Sequence, residues 1–429
     1  MVWLFVYAAA LIAAVAWYAL RRQRIHAQHA AELQQAVAAG LVEPPSLHPV
    51  IDPVLCIGSS SCVQVCPEEA LGIVNGKATL TNASACIGHG ACMAACPFDA
   101  IQLVFGTERR GVDIPEITPE FESNVPGLFI AGELGGMGLI RKAAEQGRQA
   151  IAAVRKRKGG DFPYDVVIVG CGPAGLSAGL AAMEHRLRYK LLEQEDSLGG
   201  AVFHYPRNKI AMTAPVELAL IGKVNFGEVQ KEKLLEFWQG VVARTGLKIA
   251  FRECLQEVLP EGGGFVVRTT RHEYRTRSVL LAMGRRGTPR KLGVPGEEAP
   301  KVVYRLIDPA QYQGQAVLVV GGGDSALEAA VALAEEPGTT VTLSYRSEAF
   351  SRVKPKNRQR LEQAQQAGRV QVLLGSTVQA IEDRRVVLQT TQGELILRND
   401  AVIVCAGGLL PTPLLQKMGI RFETKYGTV

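Results

Sequence analysis

The sequence predicts an α/β protein with two nucleotide-binding domains, a small α+β cysteine-rich domain and one N-terminal transmembrane helix. Three observations indicate this fold class: two glycine-rich turns that follow apolar runs, a duplicated six-cysteine pattern, and an uncharged N-terminal stretch. The length of 429 residues is enough for about two to four domains. A hydrophobic fraction of 47% excludes a disordered chain, and the net charge of +6 is too small to indicate nucleic-acid binding.

The N-terminal run Val2–Leu20 has no charged side chain, and as a helix it would span about 28 Å, close to the thickness of a hydrocarbon core. Arg21, Arg22 and Arg24 follow directly, so the positive-inside rule places the later domains in the cytoplasm. A cleaved signal peptide would carry its positive charges before the apolar run, which favours an uncleaved anchor. We therefore expect a transmembrane helix at 1–20, a juxtamembrane helix at 21–44 and a single-pass membrane protein.

Six of the nine cysteines form two copies of one pattern, each of which ends in Cys-Pro. They are Cys56, Cys62, Cys66, Cys86, Cys92 and Cys96. A cytoplasmic compartment argues against a disulfide framework, so that clustered thiols there indicate a metal site.

The spacing of the two copies resembles that of bacterial two-cluster ferredoxins, which predicts a ferredoxin-like iron–sulfur domain at 45–106. In both copies the second cysteine position is replaced, by Ser59 in one and by His89 in the other. The crossed ligation of that family implies one cluster on Cys56, Cys62 and Cys96 and another on Cys66, Cys86 and Cys92. Four interpretations stay open: three-iron clusters, four-iron clusters completed by Ser59, His89 or a small molecule, sites that bind nothing, and zinc held by three thiolates and His89.

The first glycine-rich turn, GCGPAG at 170–175, follows the apolar run Val166–Val169 and precedes a helix of small residues. Gly170 permits a tight turn, Gly172 lets the backbone approach a pyrophosphate, and Gly175 lets the helix pack against the strand. Glu193 ends the next predicted strand, where a carboxylate accepts hydrogen bonds from an adenosine ribose. Strand, turn, helix and acid together predict a dinucleotide site.

The second glycine-rich turn, GGGDSA at 321–326, follows the apolar run Ala316–Val320. Here the next predicted strand ends in Arg346, and a guanidinium pairs with a 2′-phosphate, so NADP is favoured over NAD. Arg352 is expected to assist, and an exposed loop cation is the alternative interpretation of Arg346. The residues predicted to contact this second nucleotide are Gly321, Gly323, Ser325 and Ala326.

With both turns in place, the chain resembles the thioredoxin-reductase-like pyridine-nucleotide flavoproteins, and FHYPR at 203–207 most resembles the bacillithiol-disulfide-reductase-type branch. GGGDSA at 321–326, AMG at 282–284 and PRKLGVPGE at 289–297 also carry the resemblance. It implies two Rossmann-like domains, with FAD at 161–290, NADP(H) at 291–405 and a return to the FAD domain at 406–429. Gly199 and Gly200 are further predicted FAD contacts, and a homodimer is implied.

The last element of that family, a strand ending in Gly-Asp and a helix beside the flavin, has its counterpart upstream in this chain. The pattern is Asn124–Glu133 followed by the helical run Leu139–Val154. We infer a circular permutation in which residues 107–158 complete the FAD domain. Gly132 and Glu133 are then expected beside the flavin, with Glu133 where the family usually has Asp. A simple connector between domains is the alternative.

A hydride-donor site, a flavin site and iron–sulfur sites in one chain predict an FAD-dependent NAD(P)H oxidoreductase that exchanges electrons with an external carrier, membrane-associated or soluble. Outside the ferredoxin-like region, Cys171, Cys254 and Cys405 are isolated, so neither a dithiol relay nor a covalent side-chain catalyst is predicted. Two alternatives stay open, a reductase of low-molecular-weight disulfides and a membrane-tethered redox or NADP(H) sensor. No motif indicates the direction of electron flow.

Overall fold

The computed structural model describes residues 2–44, 47–108, 110–136, 138–205, 207, 209–213, 215–285, 289–351, 353–408 and 411–427. Arg352, a predicted nucleotide contact, lies outside these ranges. The described helices are α1 (Val2–Ala38), α2 (Ser61–Gln64), α3 (Ala91–Ala94), α4 (Ile140–Lys156), α5 (Pro173–Glu184), α6 (Lys231–Thr245), α7 (Asp324–Ala334), α8 (Pro355–Gln366) and α9 (Thr412–Lys417).

The strands of the N-terminal third are β1 (His48–Ile51), β2 (Leu71–Val74), β3 (Lys77–Leu80), β4 (Ile101–Val104), β5 (Val112–Pro115) and β6 (Leu128–Ile130). The middle of the chain holds β7 (Tyr164–Val169), β8 (Tyr189–Leu192), β9 (Ile210–Met212), β10 (Val216–Leu218), β11 (Gly222–Val224), β12 (Glu228–Gln230), β13 (Ile249–Ala250), β14 (Leu255–Glu261), β15 (Gly264–Thr269) and β16 (Glu273–Leu281). The remaining strands are β17 (Val302–Val303), β18 (Ala316–Val320), β19 (Thr340–Tyr345), β20 (Val370–Leu374), β21 (Thr377–Ile381), β22 (Arg385–Thr390), β23 (Gly393–Arg398), β24 (Ala401–Val404) and β25 (Phe422–Lys425).

The N-terminal helix corrects one prediction. In the described part of the chain, no helix combines the length and the apolar character that crossing a bilayer requires. The predicted transmembrane helix, and with it the localisation as a single-pass membrane protein, is therefore wrong. The prediction rested on the absence of charge, and seven of the nineteen residues of Val2–Leu20 are alanine, whose side chain contributes little apolar area.

Helix α1 is instead attached to the cysteine-rich domain through its C-terminal half. The Nδ1 atom of His29 accepts a hydrogen bond of 3.0 Å from the backbone N–H of Ile73 in β2. A Cβ atom at Gly72 would lie only 2.7 Å from the His29 ring, so the helix and the strand are in close contact. Within the domain, β1 pairs with β4 and β2 pairs with β3, both antiparallel.

The largest sheet has the strand order β13-β8-β7-β16-β15-β14, and β6 pairs with β16 beside this path. Val166–Val169 and Val279–Leu281 are buried, as expected for parallel strands that are covered on both faces. Strand β16 has two partners on one side, because its N-terminal half pairs antiparallel with β15 and its C-terminal half pairs parallel with β6. The upstream segment around β6 therefore supplies a strand of this sheet.

Helix α4, which follows β6, packs against α5 with almost no side chain between the two backbones. A Cβ atom at Gly147 would lie 2.0 Å from the carbonyl oxygen of Ala174. Ala144, Ala150 and Ile151 of α4 are fully buried in the same core. Small residues on one face of α4 thus let the upstream segment close the large sheet from one side.

The second nucleotide-binding unit is a parallel sheet with the order β17-β24-β18-β19-β20, and β21, β22 and β23 form an antiparallel sheet beside it. Helix α7 starts after β18, so the second glycine-rich turn and the residue after β19 lie at the same carboxyl edge of the sheet. The two units contact each other through an ion pair of 2.7 Å between Lys209 Nζ and Glu328 Oε2.

We predict that Gly147→Ala lowers the free energy of unfolding by about 1–3 kcal/mol, because the added methyl group forces α4 away from α5. Gly240→Ala is the matched control, because Gly240 is also helical and a Cβ atom there would meet nothing within 4 Å. The free energy of unfolding of this variant should be unchanged or up to about 1 kcal/mol higher than that of the wild type. Urea unfolding of both variants measures the difference. Equal stability of Gly147→Ala and the wild type would contradict the close packing of the two helices.

Candidate redox centres

The first glycine-rich turn lies between β7 and α5. A Cβ atom at Gly170 would lie 2.6 Å from the carbonyl oxygen of Ala282. A Cβ atom at Gly175 would lie 1.8 Å from the carbonyl oxygen of Gly170. At Gly172, by contrast, the nearest atom would be the Cα of Gly200 at 3.9 Å. Two glycines are thus required by the fold, whereas the backbone at Gly172 borders open space of the kind that a pyrophosphate needs.

Glu193 lies at the end of β8 and is only 6% exposed. Its Oε2 accepts a hydrogen bond of 2.7 Å from the backbone N–H of Cys171, and its Oε1 accepts one of 3.1 Å from that of Glu195. Burial raises the pKa of the Glu193 carboxyl, while these backbone donors oppose the rise. The backbone N–H of Gly199 donates to the carbonyl oxygen of Cys171, so Glu193, Gly199 and Gly200 all meet at the first turn.

Gly132 and Glu133 come from the upstream segment, yet they lie beside this same turn. A Cβ atom at Gly132 would lie 3.1 Å from the Cβ of Ala174 in α5. The Glu133 carboxylate borders Gly284, which follows β16, and its charge acts on Arg285. Burial lowers the pKa of the Arg285 guanidinium, and Glu133 partly restores it. The residues present therefore fit an FAD site made from both segments.

The second glycine-rich turn repeats the geometry of the first. A Cβ atom at Gly321 would lie 2.4 Å from the carbonyl oxygen of Cys405, whereas one at Gly323 would meet nothing within 4 Å. Ser325 is exposed at the start of α7, and Ala326 is buried against the sheet. This turn therefore leaves open space at Gly323, where a second dinucleotide phosphate fits.

Arg346 directly follows β19 and is exposed at the edge that carries the second turn. The loop after it is held against α7, because Asp324 Oδ1 accepts hydrogen bonds from the backbone N–H of Lys354 (3.0 Å) and from Nδ2 of Asn357 (2.7 Å). The loop is thus anchored near the place where a 2′-phosphate would lie. Contact between Arg346 and that phosphate stays a prediction.

The cysteines of the duplicated pattern surround two separate pockets, each of about 310 Å³ including space open to solvent. The first pocket is lined by Cys56, Cys62 and Cys96. The second pocket is lined by Cys66, Cys86 and Cys92. The chain thus brings the thiols together in the two crossed groups that the ferredoxin pattern implies, and their role as metal ligands stays a prediction.

The backbone follows the duplication closely around both pockets. Matching positions have matching left-handed φ angles: 70° and 73° at Gly58 and Gly88, and 49° at both Glu69 and Asp99. Burial raises the pKa of the Cys62 and Cys92 thiols and raises that of Cys86 to about 11. Metal binding at either pocket must therefore displace thiol protons.

The two replaced positions have different surroundings. Ser59 borders the first pocket, is exposed, and its hydroxyl lies 3.4 Å from that of Ser61. His89 borders the second pocket beside Glu68, whose Oε1 is buried and has no hydrogen-bond partner among the described residues. Burial lowers the pKa of His89, Glu68 raises it, and Arg141 lowers it, so the neutral imidazole that can bind a metal is favoured.

The described thiols do not converge on one point as the ligands of a single ion do. In the parts of the chain that the structure describes, no three His, Cys, Asp or Glu side chains converge closely enough to hold one metal ion. Tetrahedral zinc requires its ligands at about 2.0–2.3 Å from one centre, whereas an iron–sulfur cluster holds its thiolates farther apart. Among the described residues, the thiols are thus not arranged around a single point.

Comparison with known proteins identifies the family. Residues 167–428, more than half of the chain, match the family described as pyridine nucleotide-disulphide oxidoreductase. The chain belongs to this family. Residues 48–97 match a second description, that of a 4Fe-4S dicluster domain, which covers both copies of the cysteine pattern.

Individual relatives agree with the first of these descriptions. Bacilliredoxin reductase Bdr of Bacillus subtilis is 27% identical over 268 residues, which cover 61% of this chain and 82% of that protein. Ferredoxin–NADP reductase of Thermus thermophilus is 31% identical over 271 residues, which cover 60% and 77%. The solved structure of bacillithiol disulfide reductase Bdr from Bacillus cereus is similar with a TM-score of 0.54 at 25% identity, covering 60% of this chain and 81% of that chain.

These findings confirm three predictions. The chain is a thioredoxin-reductase-like oxidoreductase with an N-terminal ferredoxin-like domain. It is an FAD-dependent NAD(P)H oxidoreductase. Its cofactors are FAD, NADP(H) and iron–sulfur clusters whose nuclearity stays open.

Several residues at these sites were not predicted from the sequence. Gln146 Oε1 accepts a hydrogen bond of 2.8 Å from the backbone N–H of Gly132. Arg285 lies beside Glu133, and Asn357 anchors the loop near Arg346. Arg285 directly follows the AMG motif at 282–284, and that adjacency was an available signal. Nothing in the pattern around Gln146 or Asn357 distinguishes them from surface residues of a helix.

We predict that Gly172→Ala folds with a free energy of unfolding within about 0.5 kcal/mol of the wild type, yet binds FAD at least about tenfold more weakly. The reason is that the new methyl group has room within the protein and occupies only the space for the pyrophosphate. Urea unfolding of the apoprotein and FAD titration measure the two effects. Gly175→Ala is the control, because its methyl group would collide with the backbone and should lower stability as well.

We also predict that Arg346→Ala raises the KM for NADPH by about 10- to 100-fold and changes the KM for NADH much less, because only NADPH carries the 2′-phosphate. Steady-state oxidation with ferricyanide as acceptor measures both constants. Arg369→Ala removes an exposed arginine that precedes β20 and should change neither constant. An equal effect of Arg346→Ala on both coenzymes would show that Arg346 is only an exposed loop cation.

Proposed function

We propose that the protein exchanges electrons between NADPH, FAD, two cysteine-bound clusters and an external one-electron carrier. The observation that carries this proposal is a contact between the ferredoxin-like domain and residues 107–158, which contain Gly132, Glu133 and α4. We call these residues the flavin segment. Phe105 directly follows β4, and a Cβ atom at Gly136 would lie 2.7 Å from its ring. Gly136 ends the short 3₁₀ turn Gly132–Gly135, which contains both predicted flavin residues of this segment.

The linker between the two domains is anchored rather than free. The carbonyl oxygen of Phe105 accepts a hydrogen bond of 2.9 Å from the backbone N–H of Gly427. Strand β5 then pairs with β25, and Thr424 Oγ1 donates a hydrogen bond of 2.7 Å to Asp113 Oδ1. A fixed connection of this kind keeps two redox sites at a high effective concentration, which supports direct electron exchange between them.

FAD supplies the chemistry that joins a two-electron donor to one-electron acceptors, since it accepts a hydride at N5 and releases electrons singly. The residues of this chain bind and orient the partners. The backbone at Gly172 and Gly323 leaves space for the two pyrophosphates, Glu193 accepts hydrogen bonds at the first turn, and Arg346 pairs with the 2′-phosphate. Each NADPH oxidised thus yields NADP⁺ and one proton and reduces two equivalents of the one-electron carrier.

The proposal is tested by anaerobic titration of the purified holoprotein with NADPH. We expect about six to eight iron atoms per chain, loss of the flavin absorbance, and the EPR change of cluster reduction. That change is a new signal for a four-iron cluster and loss of the oxidised-state signal for a three-iron cluster. Flavin that is bleached while both clusters stay oxidised would contradict the proposal. Sodium dithionite is the control, because it must bring up the cluster signals whether or not NADPH does.

The second candidate is an FAD-dependent reductase of low-molecular-weight disulfides. It is favoured by the similarity to bacilliredoxin reductase and to bacillithiol disulfide reductase. Against it, burial raises the pKa of the Cys171 and Cys254 thiols, which disfavours the reactive thiolate. NADPH oxidation with bacillithiol disulfide, compared with ferricyanide, separates the two functions. The identity of the carrier and a homodimeric state stay predictions.

A further inference from the structure

The two cysteine pockets lie at different places along strand β4. Ile101, the first residue of the strand, lines the first pocket, and Leu103 lines the second pocket. Phe105 then reaches Gly136 at the flavin segment. Each of these steps is two residues of extended chain, or about 7 Å. Along β4 the order is therefore first pocket, second pocket, flavin segment.

An electrostatic effect of the flavin segment on the ferredoxin-like domain agrees with the same order. Arg141 is the second residue of α4, the helix that follows the turn with Gly132 and Glu133. Its positive charge acts on His89, which lines the second pocket. Both the strand and the helix thus connect the flavin segment to the second pocket.

The first pocket has the more exposed lining side chains. Ile57 and Phe98 line it and are nevertheless 60% and 46% exposed. At the duplicated positions of the second pocket, Ile87 and Glu68 are both half-buried. Val54, which precedes the first pocket in the chain, is 86% exposed. At matched positions, the side chains around the first pocket are therefore more exposed than those around the second.

We propose that the two pockets act in series, with the second pocket (Cys66, Cys86 and Cys92) on the flavin side and the first pocket (Cys56, Cys62 and Cys96) on the carrier side. This proposal rests on the proposed function and adds the order of the two sites. A hydride from NADPH brings two electrons, NADP⁺ leaves, and the two electrons pass one at a time through the second pocket and then the first. Two one-electron carriers are reduced, and one proton is released.

Cys62 and Cys92 provide a matched test, because they occupy duplicated positions and are both 6% exposed. Anaerobic holoprotein is mixed with NADPH, frozen at successive times and examined by EPR. In Cys92→Ala, we expect the signal of the first pocket to stay absent over the wild-type rise time, although sodium dithionite brings it up. In Cys62→Ala, we expect the signal of the second pocket still to rise after NADPH is added.

Two outcomes would overturn the order. In Cys92→Ala, the first-pocket signal would rise with NADPH at the wild-type rate. In Cys62→Ala, the second-pocket signal would appear with dithionite but not with NADPH. Failure of the proposed function looks different, because neither signal would then rise with NADPH in the wild type. The two failures are therefore distinguishable in one set of samples.

A pair of charge variants tests the order when a cysteine variant loses both clusters. Arg141→Gln removes a cation beside the second pocket, and Lys77→Gln removes one beside the first, where Lys77 Nζ donates a hydrogen bond of 2.6 Å to the carbonyl oxygen of Cys56. Each should lower the midpoint potential of its own cluster only, because a cation stabilises the more negative reduced state. The cluster whose midpoint potential is lowered by Arg141→Gln should be the first to be reduced after NADPH is added. The reverse order would reject the proposal.

Discussion

The close backbone contact between α4 and α5 is the constraint on which the N-terminal third of the molecule depends. Gly147 and Ala174 approach so closely that no side chain fits between them, and β6 pairs with β16 in the large sheet. The turn that contains Gly132 and Glu133 lies between β6 and α4, so its position follows from these two contacts. Because Phe105 packs on the end of that turn, the ferredoxin-like domain is positioned by the same packing.

The two cysteine pockets show how one local pattern acquires two environments. The backbone angles repeat at Gly58 and Gly88, so the turns around the two pockets are nearly the same. Their neighbours differ, since the second pocket meets His89, Glu68 and the charge of Arg141, and the first borders exposed apolar side chains. Cluster potentials depend on nearby charge, hydrogen bonding and solvent exposure, so two sites of this kind are expected to differ in potential even with the same number of thiolates.

Local patterns predicted most of the fold and part of the site. The apolar strands β7 and β18, their glycine turns and the acid at Glu193 lie close together in the chain, so their geometry follows from sequence spacing. The crossed grouping of the thiols came from a resemblance, and the two pockets bring the same groups together. The prediction of a transmembrane helix was wrong, since it rested on the absence of charge in this run. Helix α1 instead contacts β2 through His29.

The sequence by itself determined the chemistry that the chain carries: thiols in two copies of a cluster pattern and two turns whose backbone admits a dinucleotide. The tertiary structure alone decided which of these sites are neighbours. The charge of Glu133 acts on Arg285 across 152 residues of chain, and Thr424 contacts Asp113 across 311. Phe105 meets Gly136 only because β5 and β25 hold the linker in place. Contacts over such separations depend on how helices and sheets pack, and no local spacing encodes them.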